Sequence, residues 1–451
     1  MQALQIVICG AGEVGSHAAD VLVKDKANSI TVIDKDPSRL SAIEEWLDGA
    51  TLEGNCARAD VLLEAGIANA DAIVAATECD EVNLLTATMA RKLGVGKAIA
   101  RVHDFDYLDR QAEIDYAKTL EIDQLICPEF STSMEIAQTL RNPIAQKVEA
   151  FARGQIQMQQ FRIGKKCGVL GCAIQDMNLP AGSRIAAIFR QGEVQIPEPN
   201  STLELDDEVV LVADASVYDA AQKILAASDH RRRSVVILGG SPMAEWLCQM
   251  LRGKPFSIRL YEKDRERAEE LAADLDWITV LNADLSDPAV FDSEQISDVD
   301  DFVALLPEDE LNMMAGVMAK LKGVSKSIVV TQRSSYCAAA LAIGVDRAFS
   351  PQEVAARQIN DALSTSPMRV MSSLKGGEVS VFRVRVGKRS KVIGQRLKDL
   401  NLTPNWSILA MQRGDVTSFP LANADIGAGD VILVLGWTDR QEALAELFDA
   451  H

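Results

Sequence analysis

The stretch LQIVICGAGEVGSHAADVLV, residues 4–23, contains the three elements that decide the fold of the N-terminal region. Leu4–Cys9 is an apolar run of strand length, and Ser16–Val23 has apolar residues at helical spacing. Between them lies the glycine turn Gly10–Gly15, which reads GAGEVG. A glycine turn that follows a strand and opens a helix is typical of sheets that bind dinucleotides.

Each glycine of the turn has its own physical task. Gly10 permits the tight turn, Gly12 lets the backbone approach a pyrophosphate, and Gly15 allows the helix to pack closely on the strand. The helix N-terminus offers free N–H groups to phosphates. Asp34 ends the next apolar run, at the spacing where an acidic side chain accepts hydrogen bonds from ribose hydroxyls. An ordinary glycine turn with an incidental acid is the alternative, and the combined spacing favours nucleotide binding.

Strand-like runs continue along the N-terminal third of the chain. They lie at Thr51–Glu53, Ala72–Ala75, Ala98–Val102 and Gln124–Ile126, and helical patterns separate them, most clearly at Asp80–Leu93. This alternation predicts an α/β fold with a doubly wound, Rossmann-like parallel sheet. Ligands of such sheets bind at the carboxyl ends of the strands.

Polar residues follow the predicted carboxyl ends of these strands. They are Asn55, Cys56, Thr77, Glu78 and Arg101. Arg101 is the sharpest candidate, because a guanidinium can clamp a phosphate with two hydrogen bonds. An ion pair of Arg101 with Asp104 or Asp106 accounts for this residue equally well.

The chain repeats these motifs in its second half. ICGAGEVG at Ile8–Gly15 recurs as ILGGSPMA at Ile237–Ala244, and Asp34 recurs as Glu262. AATECDEVN, which ends at Asn83, recurs as ALLPEDELN at nearly the same separation. Three motifs that keep their register over such a distance indicate a duplication.

A second, smaller unit repeats as well. VLGCAIQDMNLP, from Val169, resembles VIGQRLKDLNLT, from Val392. Each is followed by an apolar stretch, then RQGEV or RGDV, then a strand-like run. The chain therefore alternates two Rossmann-like domains with two small, β-rich α+β domains. The predicted domains are residues 1–145 (Rossmann-like), 146–228 (small), 229–370 (Rossmann-like) and 371–451 (small).

The second Rossmann-like unit has a degraded glycine turn. Ser241 replaces the middle glycine, Ala244 the third, and Val330 stands where Arg101 would. Either this unit binds weakly or it keeps only its fold. The candidate residues of a weaker second site are Gly239, Gly240, Ser241 and Glu262.

Composition excludes several classes of function. The chain has 451 residues and a net charge of −19, so its surface repels nucleic acids and anionic lipids, and we expect neither nucleic-acid binding nor direct lipid insertion. No apolar run approaches the ~20 residues of a spanning helix, and Met1–Gln5 does not begin a signal peptide; these features predict a cytoplasmic protein. Eight dispersed cysteines without a CxxC pair and four histidines without HExxH predict no metal site.

Few residues are candidates for catalysis. His103 is the one histidine near the predicted strand ends, where it could act as a proton donor or be an ordinary loop residue. Neither a GxSxG motif nor a GKS/T phosphate loop is present. We therefore expect no catalytic residues, and an NAD-dependent oxidoreductase with an unrecognised substrate site is the alternative hypothesis.

Several segments together resemble a known family. GAGEVG, TVIDKD, GNCARADVLLEAGIANADAIVAATECDEVN and ARVHDFDYLD resemble the N-terminal half of regulator-of-potassium-conductance (RCK, or KTN) domains. The small units resemble the C-terminal subdomain of the same family. The tandem arrangement resembles the regulatory subunits of Trk-type potassium-uptake systems.

This resemblance implies a function. Such proteins bind NAD(H) or ATP/ADP as regulatory ligands and form homo-oligomeric rings, here expected to be tetrameric. The ring would lie at the inner face of the cell membrane, attached through a potassium-translocating membrane subunit that it gates. A nucleotide-sensing scaffold for another transporter or channel is a third possibility.

The resemblance also assigns roles to residues. The phosphates would be surrounded by Gly10, Ala11, Gly12, Glu13 and Val14. Asp34 would hold the ribose, and Thr77, Glu78 and Arg101 would close the opposite wall. The segments after Pro128 and Pro351 resemble the helices that cross between neighbouring Rossmann-like units. The first of them has an apolar face that is expected to be buried, formed by Ile136, Ala137, Leu140 and Ile144.

Overall fold

The computed structural model describes most of the chain. The described residues are 4–24, 28–108, 114–141, 155–164, 167–190, 193–225, 232–284, 291, 296–363, 367–374, 378–400, 402, 405–414 and 416–450. They form two compact units, one of Met1–Ala137 with Arg232–Ser364, the other of Gln138–Arg231 with Thr365–His451. The first unit holds two parallel sheets, and the second holds two antiparallel sheets.

The first parallel sheet has the strand order β3-β2-β1-β4-β5-β6. Strands β1 to β6 are Gln5–Cys9, Ser29–Asp34, Ala50–Glu53, Ala72–Ala75, Lys97–Arg101 and Gln124–Ile126. Helices α1 to α6 are Glu13–Val23, Pro37–Glu44, Ala59–Glu64, Asp80–Lys92, Tyr116–Thr119 and Pro128–Leu140. All neighbouring strands are parallel, and the order reverses beside β1. The predicted doubly wound sheet is therefore confirmed.

The apolar strand β1 contributes side chains to two hydrophobic cores, one on each face of the sheet. Successive side chains of a strand point to opposite faces. Ile6 and Ile8 accordingly pack in the core on one face, and Val7 and Cys9 pack in the core on the other. Helices cover both faces, which is why a central parallel strand has a continuous apolar sequence rather than an alternating one.

The first small domain is antiparallel, with the strand order β7-β10-β8-β9. Strands β7 to β10 are Ile156–Arg162, Ser183–Arg190, Glu193–Gln195 and Glu208–Asp214, and helix α7 is Tyr218–Leu225.

The second parallel sheet repeats the first, with the order β13-β12-β11-β14-β15-β16. Strands β11 to β16 are Arg233–Leu238, Phe256–Glu262, Thr279–Asn282, Asp301–Ala304, Lys326–Val330 and Arg347–Phe349. Helices α8 to α12 are Pro242–Leu251, Arg265–Asp274, Asp309–Leu321, Ser335–Ala342 and Pro351–Leu363. The identical strand order supports the duplication inferred from the sequence.

The second small domain has the strand order β17-β18-β21-β19-β20. Strands β17 to β21 are Met368–Leu374, Val379–Arg385, Trp406–Arg413, Val416–Ser418 and Val431–Trp437, and helix α13 is Gln441–Phe448. The domain boundaries stay predictions. Those at residues 145 and 228 lie outside the described residues, and the one at 370 falls inside β17, whose sheet therefore begins before it.

Each small domain has an ion pair between an arginine and a buried aspartate, and these pairs account for the repeated RQGEV and RGDV motifs. Arg190, at the end of β8, donates from Nε and Nη2 to the two carboxylate oxygens of Asp207, at 2.9 and 2.8 Å. Arg413, at the end of β19, does the same to Asp430, at 2.9 and 2.7 Å. Both aspartates are buried, so the arginines neutralise charges that water cannot reach.

Helix α12 packs against the other Rossmann-like domain of the same chain. Its Ala355, Ile359 and Leu363 share a core with Ala18 and Leu22 of α1. The predicted apolar face of α6 is also buried at Ile136, Ala137 and Leu140, whereas Ile144 lies outside the described residues. At the start of α6, the Phe130 ring packs edge-on against Trp246 of α8, with centroids 5.7 Å apart. The two crossover helices thus join the two halves within one chain.

In the part of the chain that the structure describes, no helix combines the length and the apolar character needed to cross a membrane.

Candidate nucleotide-binding site

A cleft of about 380 Å³ lies at the carboxyl ends of strands β1 to β5. Of the residues predicted for the first site, those that line it are Gly10, Gly12, Glu13, Asp34, Asn55, Cys56, Thr77, Glu78 and Arg101. The other three, Ala11, Val14 and Gly15, are buried and do not line the cleft. The lining residues that the sequence analysis did not propose for binding are Ile33, Lys35, Arg39, Gly54, Ala76, Cys79, Val82 and His103.

Two of the three glycines of the turn are required by close approach of the backbone. Gly10 has φ of 103°, and a Cβ there would lie 2.7 Å from the carbonyl oxygen of Ala76. A Cβ on Gly15 would lie 1.9 Å from the carbonyl oxygen of Gly10. A Cβ on Gly12 would meet only Nη1 of Arg39, at 3.5 Å. Gly10 and Gly15 therefore shape the turn, and Gly12 leaves its cleft side open to a ligand.

The Asp34 carboxylate is held against the glycine turn. Its Oδ2 accepts a hydrogen bond from the Ala11 N–H at 2.6 Å, and its Oδ1 accepts one from the Asp36 N–H at 2.9 Å. The residue is 8% exposed and lines the cleft. A carboxylate has about four acceptor positions, so two remain for the hydroxyls of a ribose.

The opposite wall is fixed by a buried asparagine. Asn83, in α4, accepts hydrogen bonds at Oδ1 from the N–H and hydroxyl of Thr77, at 2.8 and 2.7 Å. Its Nδ2 donates to the carbonyl oxygens of Thr77 and Arg101, both at 3.0 Å. Asn312 makes the equivalent bonds to Leu306 and Val330. In each Rossmann-like domain, this asparagine therefore links the ends of two neighbouring strands by hydrogen bonds.

Arg101 has a different partner from the two considered in the sequence analysis. Its Nη2 lies 3.1 Å from Oε1 of Glu129, at the start of α6. Asp104 instead caps a short helical turn, where its carboxylate accepts a hydrogen bond from the Asp106 N–H. The Arg101 side chain is only 16% exposed, so this pair lies largely out of water at the end of β5.

Arg39 and Glu78 face each other across the cleft. Nη2 of Arg39, in α2, lies 3.0 Å from Oε1 of Glu78, and both residues line the cleft. The hydrogen bond that Arg39 donates to the Glu78 carboxylate raises the pKa of Arg39. The sequence contained a signal for Arg39: it recurs as Arg267 at the separation that relates Asp34 to Glu262.

His103 is held by Asp80 rather than left free. Asp80 accepts hydrogen bonds from the N–H groups of His103 and Asp104, and from Nδ1 of His103 at 2.8 Å. Burial opposes ionisation of Asp80, but these bonds outweigh it and lower the pKa of its carboxyl group. Asp309 accepts equivalent backbone bonds from Gln332 and the residue after it. The arrangement thus recurs where no histidine stands, which indicates an architectural role.

The second glycine turn is covered by side chains. Glu262 accepts hydrogen bonds from the N–H groups of Gly240 and Asp264, at 2.6 and 2.7 Å, as Asp34 does in the first domain. Arg267 donates from Nε to the Gly240 carbonyl oxygen and from Nη2 to Glu245, both at 3.0 Å. A Cβ on Gly240 would lie 2.5 Å from Cδ1 of Leu271. Side chains of the second domain, Arg267 and Leu271, therefore lie directly against its glycine turn.

Comparison with known proteins agrees with this architecture. The TrkA-N domain model matches residues 6–128 and 235–351, and the TrkA-C domain model matches residues 158–226 and 381–449. A Trk system potassium uptake protein TrkA homolog from Archaeoglobus fulgidus is 31% identical over 445 residues, 99% of this chain and 100% of that protein. The Trk system potassium uptake protein TrkA of Vibrio alginolyticus is 30% identical over 419 residues, 91% of each chain.

Among solved structures, the GsuK channel bound to NAD superposes with a TM-score of 0.57 at 14% identity. The match covers 100% of this chain and 80% of the channel chain, and at this identity it supports the fold alone. The matched domains account for most of both halves, in the alternating order that the sequence and the sheets display. The chain therefore belongs to the TrkA family, with two TrkA-N and two TrkA-C domains in tandem.

Proposed function

We propose that the chain is a nucleotide-sensing regulatory subunit that gates a potassium-uptake membrane protein. The observation that carries this proposal is the Asp34 carboxylate, which is fixed against an open glycine turn at the edge of the cleft. That arrangement suits the ribose and phosphates of a nucleotide. The relatives named Trk system potassium uptake protein TrkA support the role in potassium uptake.

The ligand we propose is NAD(H) or ATP/ADP. The residues present fit such a group: phosphates would bind at the open side of Gly12, and ribose hydroxyls would donate to Asp34. Arg39 and Arg101, each paired with a glutamate in this structure, line the same cleft. Phosphates would also meet the N-terminus of α1. The cleft volume of about 380 Å³ lies within the range of ~300–1,000 Å³ of small-molecule sites. The carboxylate of Asp34 disfavours a 2′-phosphate, so the ribose should be unphosphorylated.

We propose binding without turnover. A dehydrogenase needs an acid or base placed at the nicotinamide. His103 is the histidine that lines this cleft, and Asp80 holds its ring by a hydrogen bond of 2.8 Å. Asp309, the residue equivalent to Asp80 in the second domain, accepts the same backbone hydrogen bonds with no histidine present. We therefore assign the pair of His103 and Asp80 a structural role. An oxidoreductase therefore has less support than a sensor.

The ligand signal would pass to the second half of the chain through Glu13. Gln352, at the start of α12, donates a hydrogen bond to this carboxylate, which stands at the N-terminus of α1 and lines the cleft. ATP ends in a free triphosphate, whereas NAD carries a diester pyrophosphate of lower charge. The two ligands would repel Glu13 to different extents and so favour different positions of α12. A ligand shifts a conformational equilibrium only through such a difference in affinity.

The partner we propose is a potassium-translocating membrane subunit. The chain would form a homo-oligomeric ring, tetrameric in the simplest case, and attach to the inner face of the cell membrane through that subunit. The net charge of −19 would keep the ring away from anionic lipids. The fold shared with the NAD-bound GsuK channel is consistent with attachment to a channel or transporter.

Potassium flux tests the proposal directly. Cells or vesicles that contain the membrane partner would receive the wild-type chain or Asp34→Ala, with NADH, NAD or ATP added. We expect the wild-type chain to give ligand-dependent flux and Asp34→Ala to lose that dependence. Glu262→Ala, at the equivalent position of the second domain, is the matched control and should keep it. Potassium flux that none of the three nucleotides changes would contradict the proposal.

A further inference from the structure

Two cysteines of the first Rossmann-like domain pack in the core beside the wall of the cleft. Cys9 ends β1 and is fully buried, and Cys56 lies in the loop after β3, is 5% exposed and lines the cleft. Both side chains pack in the same buried core, and the Cys9 thiol lies within hydrogen-bonding reach of Cys56. The hydroxyl of Thr86 also donates to Sγ of Cys56, at 3.6 Å. Cys56 therefore lies beside two donor groups, Cys9 and Thr86, and also lines the cleft.

The two thiols differ in their tendency to ionise. The hydrogen bond from Cys9 lowers the pKa of Cys56 to about 7, against the opposing effect of burial and with help from Thr86. The same hydrogen bond and complete burial raise the pKa of Cys9. By contrast, burial raises the pKa of Cys127 and of Cys248 to about 12. Since the thiolate is the nucleophile, Cys56 is the reactive member of the pair.

The fold does not require this pair. The residue equivalent to Cys9 in the second parallel sheet is Leu238, which takes the same place beside the next strand. An aliphatic side chain thus satisfies the packing at the end of the central strand. Cysteines at both positions in the first domain provide chemistry that the packing alone does not need.

We propose that Cys9 and Cys56 form a hydroperoxide-sensitive dithiol in the wall of the nucleotide cleft. The Cys56 thiolate attacks a hydroperoxide, the O–O bond breaks, and the alkoxide that leaves takes a proton from water and departs as an alcohol. Cys56 is then a sulfenic acid. The Cys9 sulfur attacks Cys56, the S–O bond breaks, and the hydroxyl leaves as water with the Cys9 proton. Two thiols are oxidised by two electrons to one disulfide, and the hydroperoxide is reduced to alcohol and water.

The disulfide would reshape the cleft. A disulfide holds its sulfurs about 2.05 Å apart, closer than two hydrogen-bonded thiols. Cys9 is fixed in the central strand, so the loop that carries Cys56 and Asn55 must move towards it. Asn55 lines the cleft as well, and oxidation should therefore weaken nucleotide binding. Conversely, a bound nucleotide should shield Cys56. These two consequences rest on the proposed function, whereas formation of the disulfide does not.

The test is hydrogen peroxide treatment of the full-length chain, followed by peptide mass analysis of all eight cysteines. We expect a peptide pair linked through Cys9 and Cys56, formed at least ~10-fold faster than any oxidation of Cys127. In Cys9→Ala the reaction should stop at a Cys56 sulfenic acid that dimedone traps. In Cys56→Ser, Cys9 should stay reduced. Cys172→Ser, an exposed cysteine elsewhere in the chain, is the control and should still form the link.

Oxidation of Cys56 no faster than that of Cys127 would overturn the proposal, and so would a link from Cys56 to Cys79, which also lines the cleft. Addition of NADH or ATP separates this inference from the proposed function. Disulfide formation that neither nucleotide slows would contradict the nucleotide site and leave the dithiol established.

Discussion

Gln352 of the second Rossmann-like domain donates a hydrogen bond to Glu13 in the glycine turn of the first. Glu13 lines the cleft, and Gln352 is 8% exposed at the start of α12. The rest of α12 packs on α1, where Ile359 and Leu363 share its core. One contact thus connects the ligand site of one half to a helix contributed by the other.

Removal of this contact should uncouple the two halves. In Gln352→Ala we expect nucleotide affinity to change by less than about 3-fold, because the side chain does not line the cleft. The nucleotide-induced change in hydrogen exchange of the α12 amides should disappear. Gln358→Ala, on the same helix and bonded to Ser131, is the matched control and should retain it. A full ligand response in Gln352→Ala would contradict the coupling.

Asn83 and Asn312 should contribute alike to stability and differently to binding. Each is fully buried and bonds two strand ends, so replacement by Ala leaves backbone groups without partners. We expect the unfolding free energy of each variant to fall by about 2–4 kcal/mol, because several buried backbone groups lose their hydrogen-bond partners at once. Only Asn83→Ala should weaken nucleotide binding, since Thr77 lines the cleft. Denaturant unfolding and calorimetry measure the two effects, and equal loss of binding in both variants would contradict this assignment.

The two arginine–aspartate pairs of the small domains should be unequal. Arg190→Leu leaves Asp207 buried without its partner, and breaking a buried ion pair costs about 3–5 kcal/mol. Arg413 is 51% exposed against 23% for Arg190, so water can replace more of its charge and Arg413→Leu should cost less. Thermal unfolding of both variants measures the order. A larger loss in Arg413→Leu would contradict it.

The reactivity of Cys56 should depend on pH near neutrality. Its pKa is lowered to about 7, so alkylation by iodoacetamide should be slow below that pH, where the thiol is protonated, and rise through pH 7. An unperturbed cysteine shows this rise near pH 8.5. Cys9→Ala removes the main donor, so the midpoint should move up. A midpoint near 8.5 in the wild-type chain would count against the thiol contact.

Much of the fold followed from the sequence because the duplication supplied two copies of each signal. The strands Ala72–Ala75 and Gln124–Ile126 have the predicted bounds. The positions of the turn glycines, of Asp34 and of the residues at the strand ends were also predictable. Backbone geometry alone brings the carboxyl ends of parallel strands together.

Contacts that depend on the reach of long side chains were not predictable. Arg101 pairs with Glu129, at the start of a helix that follows a different strand. The bond between Arg39 and Glu78 joins helix α2 to the loop after β4, and the spacing of these residues in the sequence does not reveal how close they lie. The apolar face of α6 predicted burial but could not identify what covers it.

Calorimetric titration of NADH, NAD and ATP into the wild-type chain, Asp34→Ala and Glu262→Ala tests the central claim most directly. The account predicts saturable binding by the wild-type chain, with no turnover of the ligand. Asp34→Ala should weaken it at least ~10-fold by removing the ribose acceptor, and Glu262→Ala should bind like the wild type. Binding that Asp34→Ala leaves unchanged, or no binding by any of the three nucleotides, would contradict the account.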